Sequence, residues 1–383
     1  MSSASVPDAP AISRRAHEVS AKASRLRALI ASEKLAGIVL RSQSSVAWIG
    51  AGLSNRVLRD RQESMVWVAV TNDGLYLISW DTEQIRLESE EGILELGFTP
   101  HYSAWPADER EVILRDLLPG GPWGTDGLGG GVDCSLRLRD LRSRLTDDEG
   151  RRLAMLSKEV TGHLEDALRA VRPGLRERDL AGHLAGTLEA GGTLPLVLLV
   201  GSGDRLDDFR HWVPTDLPID RAVTATLAVE RRGLVTVLSR TIWFDVEAAR
   251  RRNQDKVMRV AATGTAATRV GASWGSALEE AVREYEACGY PTEWRRHFQG
   301  GAIGYDTREF SPGPTREPNE ASQLLIGAGQ AVAWNPTLPS VKSEDTYLIS
   351  DDGPRLLTRT GEWPTVTFDD RGCLVEVTDV LVA

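Results

Sequence analysis

The sequence has little cysteine, no long apolar run and no excess of positive charge. Its 383 residues include three cysteines, Cys134, Cys288 and Cys373, which lie far apart and form no CxxC pair. This spacing argues against a disulfide framework and a thiolate zinc site, and it predicts free thiols in a cytoplasmic protein. No run approaches the roughly 18 apolar residues of a membrane span, so we expect no membrane association.

Positive charge is outweighed along the chain. There are 45 Lys and Arg residues against 55 Asp and Glu residues, which gives a formal net charge of -10. Because binding to a phosphate backbone requires a basic surface, we expect no nucleic-acid partner. Residues 1–12 are rich in Ala, Ser and Pro and lack the apolar segment of a signal peptide, so we expect a loose tail there.

Helical and strand patterns alternate along the first third of the chain. A length of 383 residues predicts two domains. In residues 65–79, valines recur at every second position (Val66, Val68 and Val70) before an Asn-Asp-Gly turn, and an apolar segment returns after it, which is the signature of a hairpin. Strands and helices alternate around it. The first domain is therefore predicted to be a mixed α/β domain over residues 1–145.

A capping box marks the predicted start of the second domain. Thr146 and Glu149 can satisfy each other's backbone amides, and they open a long helix that ends at an Arg-Pro-Gly sequence. From there the chain is predicted to alternate pairs of helices with hairpins, a weak internal duplication. The glycines of residues 127–131 lack GxGxxG order, so the sequence does not support a dinucleotide cofactor.

Four segments of the second domain carry a family resemblance. They are, in order, FRHWVPTDLPI, ATLAVERRGLVTVLSRTIWF, HFQGGAIGYDTREF and AVAWNPTLPSVKSEDTYLI. In order and spacing they resemble the creatinase/prolidase/X-Pro aminopeptidase family. The resemblance implies an α/β (α+β) protein, with a pita-bread C-terminal domain over residues 146–383 after the smaller α/β N-terminal domain. It also implies a homodimer.

The resemblance extends to the positions that hold metal in active family members. Those relatives bind two divalent metals through two Asp, one His and two Glu side chains, which activate a water molecule. The matching positions here are Thr226, Val237, Gly301, Asn335 and Glu344, of which only Glu344 keeps a metal ligand. The resemblance therefore implies that this chain holds no metal and uses no cofactor.

Two side chains of the family's active site are retained. His211 matches the first active-site histidine, and imidazole is suited to proton transfer near neutral pH. In creatinase, a member without the metal ligands, the histidine at this position serves C–N bond hydrolysis. Glu344 is the second expected catalytic residue. Ser239 stands where creatinase has a further glutamate, which argues against creatine itself as the substrate.

A further group of side chains is expected to contact the substrate. Guanidinium groups hold carboxylates bidentately, and aromatic rings form flat pocket walls. The expected substrate-binding residues are His297, Arg308, Arg316, Trp212 and Trp334. For His297 a hydrogen bond to backbone in the core is an equal alternative, for Arg316 a solvated surface position, and for the tryptophans core packing.

These residues favour a metal-independent, creatinase-like hydrolase or related lyase that acts on a small polar, amino-acid-like molecule. Two alternatives stay open. One is a non-catalytic pseudo-peptidase that serves as a binding module, since the same fold binds peptides in histone chaperones. The other is an X-Pro peptidase with a relocated metal, which metal analysis would distinguish from the first two.

Overall fold

The computed structural model describes residues 11–383, and the chain divides into two compact units at the Arg142–Ser143 bond. Of the expected loose tail at residues 1–12, the first ten residues lie outside the described part, and Ile12 begins a helix. Among the helices of residues 11–383, none has both the length and the low polarity needed to cross a bilayer.

The first unit is built on one mixed sheet. Its strands are β1 (Gly37–Ser42), β2 (Glu63–Val70), β3 (Leu75–Trp80), β4 (Thr99–Ser103), β5 (Trp123–Thr125) and β6 (Val132–Asp133). They form a six-stranded sheet in the order β4-β3-β2-β1-β5-β6. The helices are α1 (Ile12–Glu33), α2 (Gln43–Ile49), α3 (Gln84–Ser89), α4 (Arg110–Leu117) and α5 (Ser135–Ser143).

The predicted hairpin of the first unit is confirmed. β2 and β3 are antiparallel, and Val70 pairs with Leu75 across the turn. Helix α2 was not predicted, because every residue from Gln43 to Ile49 is buried. A helix without a polar face lacks the amphipathic pattern by which helices are recognised in a sequence.

The second unit contains two larger sheets. Its helices are α6 (Asp147–Ala170), α7 (Glu177–Ala190), α8 (Arg205–Asp208), α9 (Ala248–Ala267) and α10 (Trp274–Ala287). Its strands are β7 (Leu194–Ser202), β8 (Ala222–Arg231), β9 (Leu234–Trp243), β10 (Gly300–Ile303), β11 (Ala331–Trp334), β12 (Thr337–Leu338), β13 (Val341–Lys342), β14 (Asp345–Ser350), β15 (Gly353–Leu356), β16 (Thr365–Asp370), β17 (Cys373–Thr378) and β18 (Leu381–Val382). The four-stranded sheets are β18-β9-β8-β7 and β10-β11-β14-β15, and β12-β13 and β16-β17 are separate hairpins.

The capping box predicted at the start of the second unit is confirmed. Thr146 Oγ1 accepts from Glu149 N at 3.2 Å, and Thr146 N donates to Glu149 Oε2 at 2.7 Å. The helix that follows, α6, packs with α7 against the sheet of β7, β8 and β9. Leu164, Leu184 and Leu227 belong to the buried core between helices and sheet, whose apolar area stabilises this unit.

A buried arginine joins several elements of the second unit. Arg240 on β9 donates to Glu165 Oε1 at 3.2 Å, to Asp345 Oδ1 at 2.8 Å and to the Thr358 carbonyl at 2.5 Å. Its side chain is 1% exposed. A charge at this depth is tolerated only when it is paired and hydrogen-bonded. Arg240 therefore links α6, β9 and β14 beneath the candidate site.

Candidate active site

The polar residues of the site lie on one face of the strands from β11 to β14. Trp334 pairs with Asp345, and the same antiparallel register continues through the hairpin that ends at Lys342. This register places Asn335 opposite Glu344. Because side chains alternate between the two faces of a strand, Asn335, Lys342 and Glu344 share one face.

The Glu344 carboxylate is buried beside a lysine. Glu344 Oε2 lies 2.9 Å from Lys342 Nζ, and it accepts a hydrogen bond from Ser239 Oγ at 3.0 Å. Ser239 Oγ in turn lies 2.7 Å from Thr226 Oγ1 on the neighbouring strand. The Lys342 and Glu344 side chains are 6% and 4% exposed. The single buried carboxylate of the site is thus compensated by an ammonium group.

The position of Lys342 is fixed by a tight turn. Pro339 and Ser340 connect β12 to β13, and Ser340 has a φ of 68°. The Ser340 hydroxyl donates to the Asp207 carboxylate of α8. Sequence reasoning missed Lys342, although it stands two residues before Glu344 in VKSED, and that spacing points both side chains to the same side of an extended strand.

His211 is held between two anchored neighbours. The preceding residue, Arg210, forms an ion pair with Glu293 in which both side chains are mostly buried. The following residue, Trp212, is 1% exposed. The His211 side chain itself is exposed to solvent, so a substrate can reach the imidazole.

The charges around His211 favour its neutral form. Partial burial of the imidazole lowers the pKa of His211, and the positive charges of Lys342 and Arg308 lower it further, while Glu344 acts in the opposite direction. Lys342, Arg308 and Glu344 therefore lie within electrostatic reach of the imidazole. A neutral imidazole at pH 7 has a lone pair available to accept a proton.

His297 is a second neutral imidazole. Burial, followed by the charge of Lys342, lowers the pKa of His297 to about 4. His297 Nδ1 lies 2.5 Å from the Phe298 carbonyl, which can only accept, so Nδ1 carries the proton. The Nε2 atom is buried and has no hydrogen-bond partner within residues 11–383. Both the expected substrate contact and the backbone hydrogen bond fit this arrangement.

Arg308 presents a guanidinium group that has no carboxylate partner among residues 11–383. Its Cζ atom lies 3.2 Å from the centre of the Phe298 ring, and the residue is half-buried. Burial lowers the pKa of Arg308, while Glu344 and Asp306 act in the opposite direction. In the described part of the chain no Asp or Glu side chain is within ion-pair distance of Arg308. Its donors remain available to a bound anion.

Residues 151–351 match the model of metallopeptidase family M24. The match covers more than half of the chain. The chain belongs to metallopeptidase family M24. A search of curated protein sequences finds no match.

Solved structures share the M24 fold with this chain over nearly its whole length. The Xaa-Pro dipeptidase from Bacillus anthracis has a TM-score of 0.74 and 18% identity, and the alignment covers 95% of this chain and 100% of that one. Dipeptidase PepE from Mycobacterium ulcerans has a TM-score of 0.75 and 16% identity, and the alignment covers 96% of this chain and 98% of that one. The N-terminal domain of the FACT complex subunit SPT16 from Cicer arietinum has a TM-score of 0.67 and 12% identity, and the alignment covers 92% of this chain and 96% of that one. These likenesses confirm the predicted pita-bread architecture and its α/β N-terminal domain.

The donor atoms at the positions where the resemblance places metal ligands do not fit a pair of divalent ions. The Thr226 hydroxyl is bound to Ser239, Val237 is buried opposite Ala228, and Asn335 Oδ1 is buried without a hydrogen-bond partner in the described residues. Within residues 11–383 no three His, Cys, Asp or Glu side chains are grouped to hold a metal ion. Divalent ions require several anionic oxygen or imidazole ligands, whereas this site offers one carboxylate next to an ammonium.

The backbone at Gly301, where the resemblance places a histidine ligand, leaves no room for a side chain. Gly301 has a φ of 149° and pairs with Ala333. A Cβ atom added to Gly301 would lie 2.6 Å from the Phe310 carbonyl oxygen. Only glycine tolerates both this φ and this contact. The backbone of β10 therefore excludes a histidine at position 301.

The structure does not bring Arg316, Trp212 and Trp334 into this group. The Arg316 guanidinium is held by Glu279, with Nε to Oε1 at 2.8 Å, and by Glu286. Trp334 is 3% exposed and donates to Thr268 Oγ1 at 2.9 Å, and Trp212 is buried against β7. These contacts indicate that both tryptophans pack in the core. Arg316 forms ion pairs with two glutamates on the surface of α10.

Proposed function

We propose that the protein is a metal-independent, creatinase-like hydrolase that cleaves a C–N bond in a small, polar, amino-acid-like molecule. Membership of family M24 supports the hydrolase class. The observation that carries the proposal is the setting of His211. Its imidazole has a lowered pKa and is within electrostatic reach of Glu344 and of Arg308, which has no carboxylate partner among the described residues.

The reaction requires one base, one anion site and one orienting group. Neutral His211 accepts a proton from water as the water oxygen forms a bond to the substrate carbon, and it returns that proton to the nitrogen as the C–N bond breaks. Arg308 binds the substrate carboxylate through paired N–H donors. The hydrogen bond from Ser239 and the ion pair with Lys342 both fall on Glu344 Oε2, so Oε1 can orient the substrate.

We also propose that the protein acts as a homodimer in the cytoplasm. The chain has a mass of 41.9 kDa. Light scattering on the purified protein should give twice that mass. A mass equal to one chain would contradict the dimer without affecting the proposed chemistry.

His211→Ala should strongly reduce turnover. Purified protein treated with a chelator is incubated with a panel of N-carbamoyl, N-acyl and guanidino amino acids and X-Pro dipeptides, and release of amine or ammonia is followed. We expect chelator-insensitive hydrolysis of at least one compound and a loss of about 10²–10⁴-fold in kcat for His211→Ala. The control is His183→Ala, since His183 is exposed on α7.

The same measurements distinguish the alternatives. Turnover that His211→Ala leaves unchanged would sink the proposed mechanism. Turnover of X-Pro dipeptides that the chelator removes, together with bound metal by elemental mass spectrometry, would favour a peptidase with a relocated metal. Binding of small ligands or peptides without turnover of any compound would favour a binding module.

A further inference from the structure

His211 lies in a part of the chain without regular secondary structure. Strand β7 ends at Ser202, helix α8 covers only Arg205–Asp208, and residues 209–215 form neither helix nor strand. A segment without helix or strand hydrogen bonds samples several conformations unless other contacts fix it. An imidazole that transfers a proton must keep within about 0.5 Å of its productive position. Residues 203–215, which we call the His211 loop, therefore require support from outside the loop.

A single buried carboxylate contacts both ends of the His211 loop. Glu177 is the first residue of α7, and it is 0% exposed. Its Oε1 atom accepts a hydrogen bond from Ser202 N at 2.9 Å, and its Oε2 atom accepts from Thr215 N at 2.9 Å and from Thr215 Oγ1 at 2.7 Å. Ser202 immediately precedes the loop, and Thr215 ends it. The two oxygen atoms of Glu177 thus bridge the two ends.

Arg205 connects the same carboxylate to the part of the loop next to His211. Its Nη1 atom donates to Glu177 Oε2, and its Nη2 atom donates to the Val213 carbonyl at 2.9 Å. Val213 follows His211 by two residues. A carboxylate that is removed from water is tolerated only when it is paired and hydrogen-bonded. The loop supplies these partners, so the loop and the carboxylate stabilise each other.

The neighbours of His211 determine a different aspect of its position. The Arg210 side chain pairs with Glu293, and the Trp212 carbonyl accepts from Val200 N at 3.0 Å. Because both neighbouring side chains face inwards, the His211 side chain faces the opposite way, towards solvent. An alternative is that these two contacts alone hold the imidazole, without the carboxylate at the ends of the loop.

We infer that Glu177 is a positioning residue: by joining the ends of the His211 loop, it holds the His211 imidazole in its place in the candidate site. It acts through the backbone of the loop and takes no part in the proton transfer itself. The contacts of Glu177 stand independently of any reaction, whereas their effect on turnover rests on the proposed function. A displacement of about 1 Å is enough to lower a rate by roughly a hundredfold.

Two substitutions weaken the bridge and keep the rest of the loop. Glu177→Gln replaces one acceptor oxygen by an NH₂ group, which can only donate, so the donors of either Ser202 or Thr215 lose their partner. Thr215→Val removes one hydroxyl donor and changes no charge. Thr215→Ser keeps the hydroxyl and is the matched rescue variant. Asp179→Asn is the control for Glu177→Gln, because Asp179 lies in the same turn of α7 and accepts hydrogen bonds from Arg176.

The test is an NMR titration of the His211 imidazole, whose signal is assigned by comparison with His211→Ala. In the wild type, partial burial and then two neighbouring positive charges lower the pKa of His211 below its ordinary value of 6.5. An imidazole released by Glu177→Gln or Thr215→Val leaves these surroundings, so we expect its pKa to rise by about half a pH unit or more. Thr215→Ser and Asp179→Asn should keep the wild-type pKa.

The direction of the change separates displacement of the loop from a loss of charge. A carboxylate stabilises the protonated form of a nearby imidazole, so removing the charge of Glu177 without moving the loop would lower the pKa of His211. Displacement raises it. Thr215→Val changes no charge, so a rise in the pKa of that variant has displacement as its cause.

Turnover of the compound identified in the panel gives a second measurement. Glu177→Gln and Thr215→Val should lower kcat by about 10–100-fold and leave KM within about twofold. In the proposed reaction Arg308 binds the substrate carboxylate, and Arg308 lies outside the His211 loop, so binding is retained. Thr215→Ser should restore kcat. A protein that is only less stable would lose active molecules without a change in the pKa of His211.

Two results would overturn the inference. One is a wild-type or lowered pKa of His211 in Glu177→Gln and Thr215→Val, which would show that the contacts of its neighbours are sufficient. The other is an equal rise for Thr215→Ser and Thr215→Val, which would separate the effect from the hydroxyl group. If Glu177→Gln does not fold, the two Thr215 variants decide. The titration does not use turnover, so it stays valid if His211→Ala leaves turnover unchanged and the proposed function fails.

Discussion

The two arginines that the sequence suggested for substrate binding have different surroundings. Arg308 stacks on Phe298 with no carboxylate in ion-pair distance among residues 11–383, whereas Arg316 is held by Glu279 and Glu286. A guanidinium that already pairs with two carboxylates would have to break those contacts to bind a substrate. The anion site is therefore assigned to Arg308 in the proposed reaction.

Arg308→Ala should raise KM for a carboxylate-bearing substrate by at least about tenfold, because a charge-assisted bidentate contact is lost. Arg316→Ala should leave KM within about twofold. Steady-state kinetics on the compound identified in the panel provides both values. An increase in KM for Arg316→Ala with none for Arg308→Ala would reverse the assignment.

Individual residues were predictable to the extent that a linear pattern marked them. His211 and Glu344 stand inside segments that resemble a family. Lys342 escaped prediction because its role comes from the strand register that brings it next to Glu344 and Ser239. Trp212 and Trp334 are buried, which agrees with the core-packing alternative; their position near a motif does not tell whether a ring faces a pocket or the core.

Strand β10 shows how one element can determine the chemistry of a site. Its pairing with β11 requires a φ of 149° at Gly301, and the Phe310 carbonyl occupies the space where a side chain would begin. The sequence marks Gly301 as a position where the resemblance expects a histidine, but neither its φ nor the contact with Phe310 is visible there. Regular elements such as α6, with its capping box, were predictable because local contacts determine where they begin.

Gly301→His should destabilise the protein by about 2–4 kcal/mol, since the new Cβ clashes with backbone and the φ is unfavourable for any residue with a side chain. Urea unfolding measures the loss. Gly186→His is the matched control, because Gly186 lies on α7 and has no atoms within 4 Å of an added Cβ. If the two substitutions lower the free energy of unfolding equally, the backbone of β10 does not exclude a side chain at position 301.

The stability of the whole molecule should depend on pH through His297. Its pKa in the folded protein is about 4, below the ordinary value of 6.5. The unfolded chain therefore binds more protons between these values, and stability present above pH 6.5 is lost as the pH falls towards 4. The complete loss in the free energy of unfolding is about 3 kcal/mol, because each unit of difference in pKa corresponds to about 1.36 kcal/mol.

Urea unfolding at pH 7 and pH 5 should show a difference of about 2 kcal/mol from this one group. His297→Gln should reduce the difference by that amount. His183→Gln, which changes an exposed histidine of α7, should leave it unaltered. A His297→Gln protein with the wild-type pH dependence would show that His297 is not held neutral by its surroundings.

Arg240 has a consequence for the order in which the chain can fold during synthesis. Its partners are separated widely along the sequence, from Glu165 to the Thr358 carbonyl. A ribosome-bound chain that ends before Asp345 carries the guanidinium with only one of its two carboxylates. Arg240 on β9 can therefore pair with both carboxylates only after more than a hundred further residues have emerged. Until then we expect the nascent second unit to be incompletely folded and to bind chaperones.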